Sequence, residues 1–252
     1  MTLPFSSPSR LAPGFTMSRC TPADVQDMDA FSNSEYTYWW GSIPVMKSWQ
    51  EERIRRRFVD ASTQQFKVVD DANGTIVAWA KWDPPPCMTG LREGFVVYDE
   101  TGRPMSTSSL DADDGGKTKP LKEKEQANGN TSGKSYALGP PEDSNIALFH
   151  EFYDALMSME KKYQASQKLV LTHLCARHSY HNRGIGTALL RSVLDLADRE
   201  GVPAYLEASR VGAPVYQRLG FKTVEVLEFD RTETGSNTPA TLYVMVREPG
   251  AA

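Results

Sequence analysis

Cysteine is scarce in this sequence, and long apolar runs and an excess of basic charge are absent. Three cysteines among 252 residues are too few for a disulfide framework. No stretch reaches the roughly 20 apolar residues of a membrane-spanning helix. The first residues hold only scattered Leu3, Phe5 and Leu11 rather than the apolar run of a signal peptide. We therefore expect a soluble chain of the cytoplasm or nucleus.

The charge balance also narrows the possible partners. The net charge is −4 and the isoelectric point is near 5.7. Nucleic-acid binders usually present a basic surface to phosphates, so we expect no nucleic-acid partner and no membrane partner. A monomer or a homodimer fits these numbers equally well.

Composition changes along the chain predict one domain with an interruption. Residues 1–13 are rich in Pro and Ser, so we expect a disordered tail followed by a domain over 14–248. Residues 83–141 are dense in Gly, Pro, Ser, Asp and Lys, and Asp111–Lys134 has almost no apolar residue. Such a stretch buries too little surface to offset its ordering entropy, which predicts a flexible insertion there.

Periodicity and turn residues predict alternating strands and helices. Gln65–Val69 and Thr75–Trp82 flank a strong turn at Asp70–Gly74 and form a hairpin. The clearest helix is Gly184–Glu200, whose apolar side chains recur every four residues. The other predicted strands are Phe15–Cys20, Lys168–Cys175, Ala204–Ala208, Lys222–Phe229 and Thr241–Arg247, and the other predicted helices are one starting at Thr21, Ser48–Ala61, one ending near Tyr163 and Ala213–Leu219.

The most informative motif lies where a predicted strand turns into the clearest helix, at residues 178–187. Gly184 and Gly186 leave backbone N–H groups uncovered there, and the helix start adds partial positive charge. Both features suit a phosphate or a pyrophosphate.

Two other phosphate-binding loops compete with this interpretation. The nucleotide-triphosphatase loop needs a Lys after its last glycine, and none follows Gly186. The dinucleotide fingerprint needs a small residue where this chain has Leu189, although Glu207 stands at the distance of its ribose-binding acid. The sequence therefore argues against a nicotinamide-dependent oxidoreductase, which stays open as an alternative.

Two segments together resemble the GNAT superfamily of acyltransferases. His181–Gly186 resembles that family's Gln/Arg-x-x-Gly-x-Gly/Ala pyrophosphate motif, and Tyr216–Phe221 resembles its Tyr-x-x-x-Gly-Phe segment. Leu206–Ser209 is similar to fungal-type members. The family usually has Gln or Arg in place of His181, and often Asn in place of Ser209. The resemblance implies a single α/β domain with a mixed, mostly antiparallel sheet flanked by helices.

The resemblance also implies a cofactor and the residues that hold it. Acetyl-coenzyme A would be the co-substrate, with no metal. Leu174, Cys175 and Ala176 would pair their backbone groups with its pantetheine arm. Ser209 and Tyr216 would also bind the cofactor, and Tyr216 would protonate the departing thiolate. The pyrophosphate would lie on His181, Asn182, Arg183, Gly184, Ile185, Gly186 and Thr187.

Transfer to an amine also needs a base, because an ammonium has no lone pair. His173 and Glu207, on neighbouring predicted strands, are the two candidates, acting directly or through water. We therefore expect N-acetylation of a small-molecule or peptide amine by direct attack, without an acyl-enzyme. A non-catalytic acyl-coenzyme A-binding protein and an O-acetyltransferase stay open as alternatives.

Several other residues invite a simpler interpretation. Cys175 fits a buried strand position, since direct transfer needs no thiolate. The histidines at 173, 178 and 181 lack the carboxylate or thiolate spacing that completes a metal site. The Arg53–Arg57 run fits a solvated helix face. Trp39 and Trp40 are weaker candidates for the wall of an acceptor site, on position alone.

Overall fold

A computed structural model describes residues 3–5, 11–28, 37–60, 63–99, 101–105 and 138–251. The predicted insertion core at Asp111–Lys134 lies outside these residues. The described strands are β1 (Phe15–Arg19), β2 (Gln64–Asp70), β3 (Thr75–Asp83), β4 (Leu169–Ala176), β5 (Ala204–Ser209), β6 (Lys222–Phe229) and β7 (Ala240–Arg247). The described α-helices are α1 (Ile43–Arg56), α2 (Ile146–Lys162), α3 (Ile185–Arg199) and α4 (Ala213–Gln217).

The strands form one seven-stranded sheet in the order β1-β2-β3-β4-β5-β7-β6. Every neighbouring pair is antiparallel except β4 and β5, which run parallel. This confirms the predicted mixed, mostly antiparallel sheet flanked by helices. A Rossmann sheet is mostly parallel, so the topology contradicts the oxidoreductase alternative.

Turn chemistry accounts for the β2–β3 hairpin. The Asp70 carbonyl accepts from the Gly74 amide at 2.8 Å, and its side chain accepts from the Ala72 amide at 3.0 Å. Gly74 has φ of 72°, a conformation that costs glycine little. The prediction of this hairpin is confirmed.

Alternation along the strands gives the sheet two apolar faces. On β4, Leu171 joins the large cluster beneath α3, which includes Ile185 and Leu189. Val170 faces the other way and packs with Tyr205 and its neighbours. Helix α3 presents its apolar stripe to the first face, while α2 packs with aromatic side chains on the second.

Three expectations about the amino-terminal half need correction. The described part of residues 1–13 packs on the core: the Phe5 ring centre lies 5.2 Å from that of Phe66. The segment after β3 is also packed, because Met88 and Leu91 are fully buried. Helix α1 begins at Ile43 rather than near residue 48, with Pro44 in its first turn, a position that proline tolerates.

The carboxylate of Glu200, the residue directly after α3, holds the segment after β3 in place. Glu200 accepts from the backbone amides of Thr89 and Gly90, both at 3.0 Å. The prediction therefore placed the start of the flexible insertion too early, at residue 83.

Within the described ranges, no helix is both long and apolar enough to cross a bilayer.

Candidate functional site

The site begins where the two parallel strands separate. β4 and β5 pair over only three positions, the last being Leu171 with Leu206. Beyond that point β4 continues to Ala176 paired with β3, and β5 continues to Ser209 paired with β7. A V-shaped opening therefore lies between the carboxyl-terminal halves of β4 and β5.

The backbone of β4 alternates between β3 and this opening. The Arg177 amide donates to the Val77 carbonyl at 2.8 Å, and Cys175 lies opposite Trp79 in the same register. In an antiparallel pair every second residue exchanges hydrogen bonds with its partner. The backbone groups of Leu174 and Ala176 consequently face the opening, whereas those of Cys175 face β3.

The loop after β4 leads directly into α3. Residues 178–180 form a 3₁₀ turn, and Asn182 and Gly184 have positive φ values of 61° and 75°. The first internal bond of α3 runs from the Ala188 amide to the Gly184 carbonyl at 2.9 Å. The backbone N–H groups of residues 185–187 come before Ala188 in the chain and have no acceptor within the helix. They are therefore available as donors at the positive end of the helix dipole.

Side chains anchor this loop to the hairpin and to itself. Arg177 Nε donates to the Ile76 carbonyl at 2.7 Å, and the Tyr180 hydroxyl donates to Asp70 Oδ2 at 2.8 Å. The Arg183 guanidinium lies 4.8 Å from the centre of the Tyr180 ring and donates to the Ser179 carbonyl at 3.1 Å. These contacts hold the helix start of α3 in one orientation.

His181 and Gly186 take distinct places in the cradle. His181 is exposed, and its Nε2 donates to the Ala176 carbonyl at 2.9 Å, since a carbonyl only accepts. A Cβ added at Gly184 meets no atom within 4 Å, and one added at Gly186 meets only Leu174 Cδ2, at 3.8 Å. The space above the helix start is therefore open, as a bound pyrophosphate requires.

Tyr216 lies on α4, which follows β5 across the opening. Ser209 Oγ accepts from the Gly212 amide at 3.1 Å and closes the turn into that helix. The Tyr216 ring is buried and meets Phe221 edge-on with centres 5.9 Å apart. Burial raises the pKa of Tyr216 above its ordinary value of 10, and nearby Cys175 raises it further, so the phenol stays protonated at neutral pH.

On the face opposite α3, the opening widens into a polar pocket, which we call the acceptor pocket. It brings together His173 and Glu207, the two candidate bases, from neighbouring strands. The residues that line it are Trp49, Arg53, Arg56, Arg57, Lys81, Asp83, Leu138, Tyr153, Leu156, Glu160, Thr172, His173 and Glu207.

His173 is held neutral by its surroundings. Its ring stacks on Trp79 at 5.5 Å between centres, and its Nδ1 has no hydrogen-bond partner within the described residues. Burial lowers the pKa of His173 well below its ordinary value of 6.5, and the positive charges of Arg53 and Lys81 lower it further.

Glu207 faces the same pocket from β5. Its Oε1 accepts from the Tyr205 hydroxyl at 2.6 Å. Burial raises the pKa of Tyr205 far above its ordinary value, and the charge of Glu207 adds to that shift. The hydrogen bond orients the carboxylate of Glu207 toward the pocket wall.

A buried polar network that the sequence did not reveal supports the pocket floor. Lys81 Nζ donates to Thr172 Oγ1 at 2.9 Å and lies 3.4 Å from Asp83 Oδ2. The second oxygen of Asp83 accepts from the Thr63 hydroxyl at 2.8 Å. In the sequence, the only sign of this network is two charged residues, Lys81 and Asp83, near the end of an otherwise apolar strand.

Two features of the amino-terminal half differ from the sequence-based expectations. Trp39 is only 3% exposed and packs in the core with Phe149 and Trp40, and the residues that line this pocket include neither tryptophan. Part of the arginine run turns inward rather than facing solvent: Arg53 and Arg57 line the pocket beside Trp49.

Within the described ranges, no group of His, Cys, Asp and Glu side chains is arranged to hold a metal.

Comparison with known proteins shows similarity to acetyltransferases. Residues 144–233 match the family model described as an acetyltransferase (GNAT) domain. A Corynebacterium glutamicum crystal structure, described as histone acetyltransferase HPA2 and related acetyltransferase, aligns with a TM-score of 0.52 and 18% identity over 95% of this chain and 98% of that one. That similarity shows the fold.

Two fungal proteins are similar to part of this chain. A protein of Ajellomyces capsulatus named as a probable acyltransferase is 35% identical over 86 residues, which are 33% of this chain and 62% of that protein. An uncharacterized N-acetyltransferase of Schizosaccharomyces pombe is 32% identical over 79 residues, 30% of this chain and 32% of that protein. The match thus spans less than two thirds of either relative. The match of residues 144–233 to the GNAT acetyltransferase model confirms the resemblance for that part of the chain.

Proposed function

We propose that the protein transfers an acetyl group from acetyl-coenzyme A to an amine. One observation carries this proposal: β4 and β5 separate after Leu171 and Leu206, between a helix start with unused amides and a pocket that holds two candidate bases. The family match and the relatives' names support the same reaction class.

The cofactor end of the opening is suited to a pyrophosphate and an extended arm. The amides of residues 185–187 and the loop from His181 would hold the pyrophosphate at the positive end of α3. Backbone groups of Leu174 and Ala176 that face the opening would pair with the pantetheine arm. An N–H group of β4 would polarise the thioester oxygen as negative charge develops there. When bound, acetyl-coenzyme A supplies the activated acetyl group.

Among the two candidate bases, we favour Glu207. When His173 accepts a proton, its new charge is opposed by Arg53 and Lys81, whereas a carboxylate attracts the ammonium form of the acceptor. Glu207 would take the proton directly or through a water molecule. The amine nitrogen then forms its bond to the acetyl carbon as the carbon–sulfur bond breaks, and it releases its second proton to solvent as the neutral amide forms.

Tyr216 is the candidate donor of the proton that the leaving thiolate requires. Its phenol is protonated at neutral pH and lies on α4, the helix that follows β5. It would donate its proton to the departing thiolate sulfur and recover one from solvent. Cys175 directs its backbone to β3 and its side chain toward an apolar cluster, so we assign it no covalent role.

Calorimetry and thiol release together test the proposal. We expect saturable binding of acetyl-coenzyme A, no binding of NAD, and release of the coenzyme A thiol when an amine is added. Binding without thiol release from any amine or alcohol would instead indicate a non-catalytic binding protein. Mass spectrometry of the product separates amide from ester and so excludes or establishes O-acetylation.

A further inference from the structure

Arg53 is a cation of the acceptor pocket that acetyl transfer itself does not use. It lies on α1, its guanidinium carbon is 4.9 Å from the centre of the Trp49 ring, and its Nη1 donates to the Tyr153 hydroxyl at 3.2 Å. Both of these contacts are with neutral side chains. Across the described part of the chain, no carboxylate lies within ion-pair distance of Arg53.

The other cations of the pocket have carboxylate partners. Lys81 Nζ lies 3.4 Å from Asp83, Arg57 lies 3.8 Å from Asp60, and Arg56 pairs with Glu52 at 2.7 Å on the exposed side of α1. These pairs leave Arg53 as the cation of the pocket wall that is compensated only by neutral groups.

The geometry of Arg53 suits one kind of ligand. A guanidinium offers five N–H donors in a rigid fork that matches a carboxylate, and within the described residues one of the five is used. The cation–π contact with Trp49 holds the guanidinium against the indole ring. A single uncompensated cation matches a singly charged carboxylate better than a doubly charged phosphate.

The same pocket also carries negative charge from other elements. Glu207 comes from β5 and Glu160 from α2, which suits an ammonium group. We infer that the acceptor is an amine that also carries a carboxylate, with the carboxylate bound by Arg53 and the amine placed near Glu207. This inference rests on the proposed function and narrows its substrate class. A free amino acid and the carboxyl end of a short peptide share this chemistry.

A matched acceptor panel tests the inference. It contains free amino acids, their carboxamides, the corresponding decarboxylated amines, and short peptides with a free carboxyl end. Turnover is followed by thiol release, and binding by calorimetry. For the wild-type protein we expect kcat/KM to favour the carboxylate form over its amide by about tenfold or more, because hydrogen bonds between charged groups are strong.

Two arginine variants test whether the preference for carboxylate acceptors depends on Arg53. Arg53→Gln should abolish the preference for carboxylates while leaving acetyl-coenzyme A binding unchanged. Arg55→Gln removes the same charge from the same helix at an exposed position outside the pocket, and it should keep the preference. Thermal melts of both variants check that α1 still folds.

The outcomes separate this inference from the proposed function. Equal turnover and equal binding of acids and amides, or a preference that survives in Arg53→Gln, would overturn the carboxylate site. If no amine releases thiol, yet acids bind more tightly than amides only when Arg53 is present, the acetyl-transfer proposal fails and the carboxylate site stands. The peptide arm shows which of the two sources the pocket accepts.

Discussion

The two ends of the opening are built in different ways. The cofactor end is one continuous stretch, from the end of β4 through the loop to the start of α3, and its function depends on backbone N–H groups and on φ values at Asn182 and Gly184. The acceptor pocket draws side chains from α1, β3, β4, α2 and β5, which lie between residues 49 and 207. A local motif therefore describes the first end, and only packing assembles the second.

This difference predicts different responses to substitution. Changes at the cofactor end should act on cofactor binding through sterics and backbone conformation. Changes in the acceptor pocket should act on turnover and acceptor choice through charge. The following experiments test that division, starting with the largest expected effect.

Gly186→Trp should abolish measurable binding of acetyl-coenzyme A, because the indole would fill the space above the helix start of α3. Gly186→Ala is the matched control, since its Cβ would meet only Leu174 at an ordinary contact distance of 3.8 Å. Calorimetry should show near wild-type affinity for the alanine variant. Unchanged affinity in the tryptophan variant would contradict the proposed cradle.

Glu207→Gln should lower kcat by about 10²–10⁴-fold, the usual contribution of a general base. Glutamine keeps an oxygen that accepts from the Tyr205 hydroxyl, so the local hydrogen bond survives. The affinity for acetyl-coenzyme A should stay the same. If His173→Gln lowered kcat more than Glu207→Gln does, the base would be assigned to His173 instead.

Tyr216→Phe should lower kcat by about 10²-fold, at the small end of the range for proton transfer, because a thiolate is already a fair leaving group. The ring that packs against Phe221 is retained. Steady-state kinetics should show the loss in kcat with little change in cofactor affinity. Wild-type turnover would remove Tyr216 from the mechanism.

His173 should make folding stability depend on pH in the acidic range. Its pKa in the folded protein lies below the ordinary value of 6.5, so between those two values the unfolded chain binds more protons. The free energy of unfolding should therefore fall as the pH drops below 6.5, by up to about 1.4 kcal/mol per pH unit.

Denaturant unfolding at several pH values measures this slope. His173→Gln should remove that part of the slope, while the same substitution at the exposed His150 should leave it in place. An identical slope in both variants would show that the proton uptake belongs to other groups. Of the four predicted effects, the pH dependence that His173 gives to the free energy of unfolding should be the smallest.

Much of the fold follows from local patterns in the sequence. The β2–β3 hairpin, the strand before the glycine loop and α3 were predicted to within one or two residues, because turn chemistry and apolar periodicity are local signals. The segment around Met88 and Leu91 was missed, because a loop-like composition hid two fully buried apolar anchors.

The candidate site divides in the same way. The loop at 181–187 was identified from its glycines, and the structure places it at the helix start as predicted. The inward orientation of Arg53 was missed, because a run of four arginines on a helix does not show which of them meets the core. Trp39 was assigned to a pocket wall, and packing with α2 buried it instead.

The order of strands and helices and the glycine-rich helix start were determined by the sequence alone, since both depend on residues close together in the chain. Tertiary structure decided where β4 leaves β5 and which charged side chains face the resulting pocket. The physical reason is that these features depend on contacts between residues distant in the chain, such as Leu171 with Leu206 and Arg53 with Tyr153 100 positions away, which no local pattern encodes.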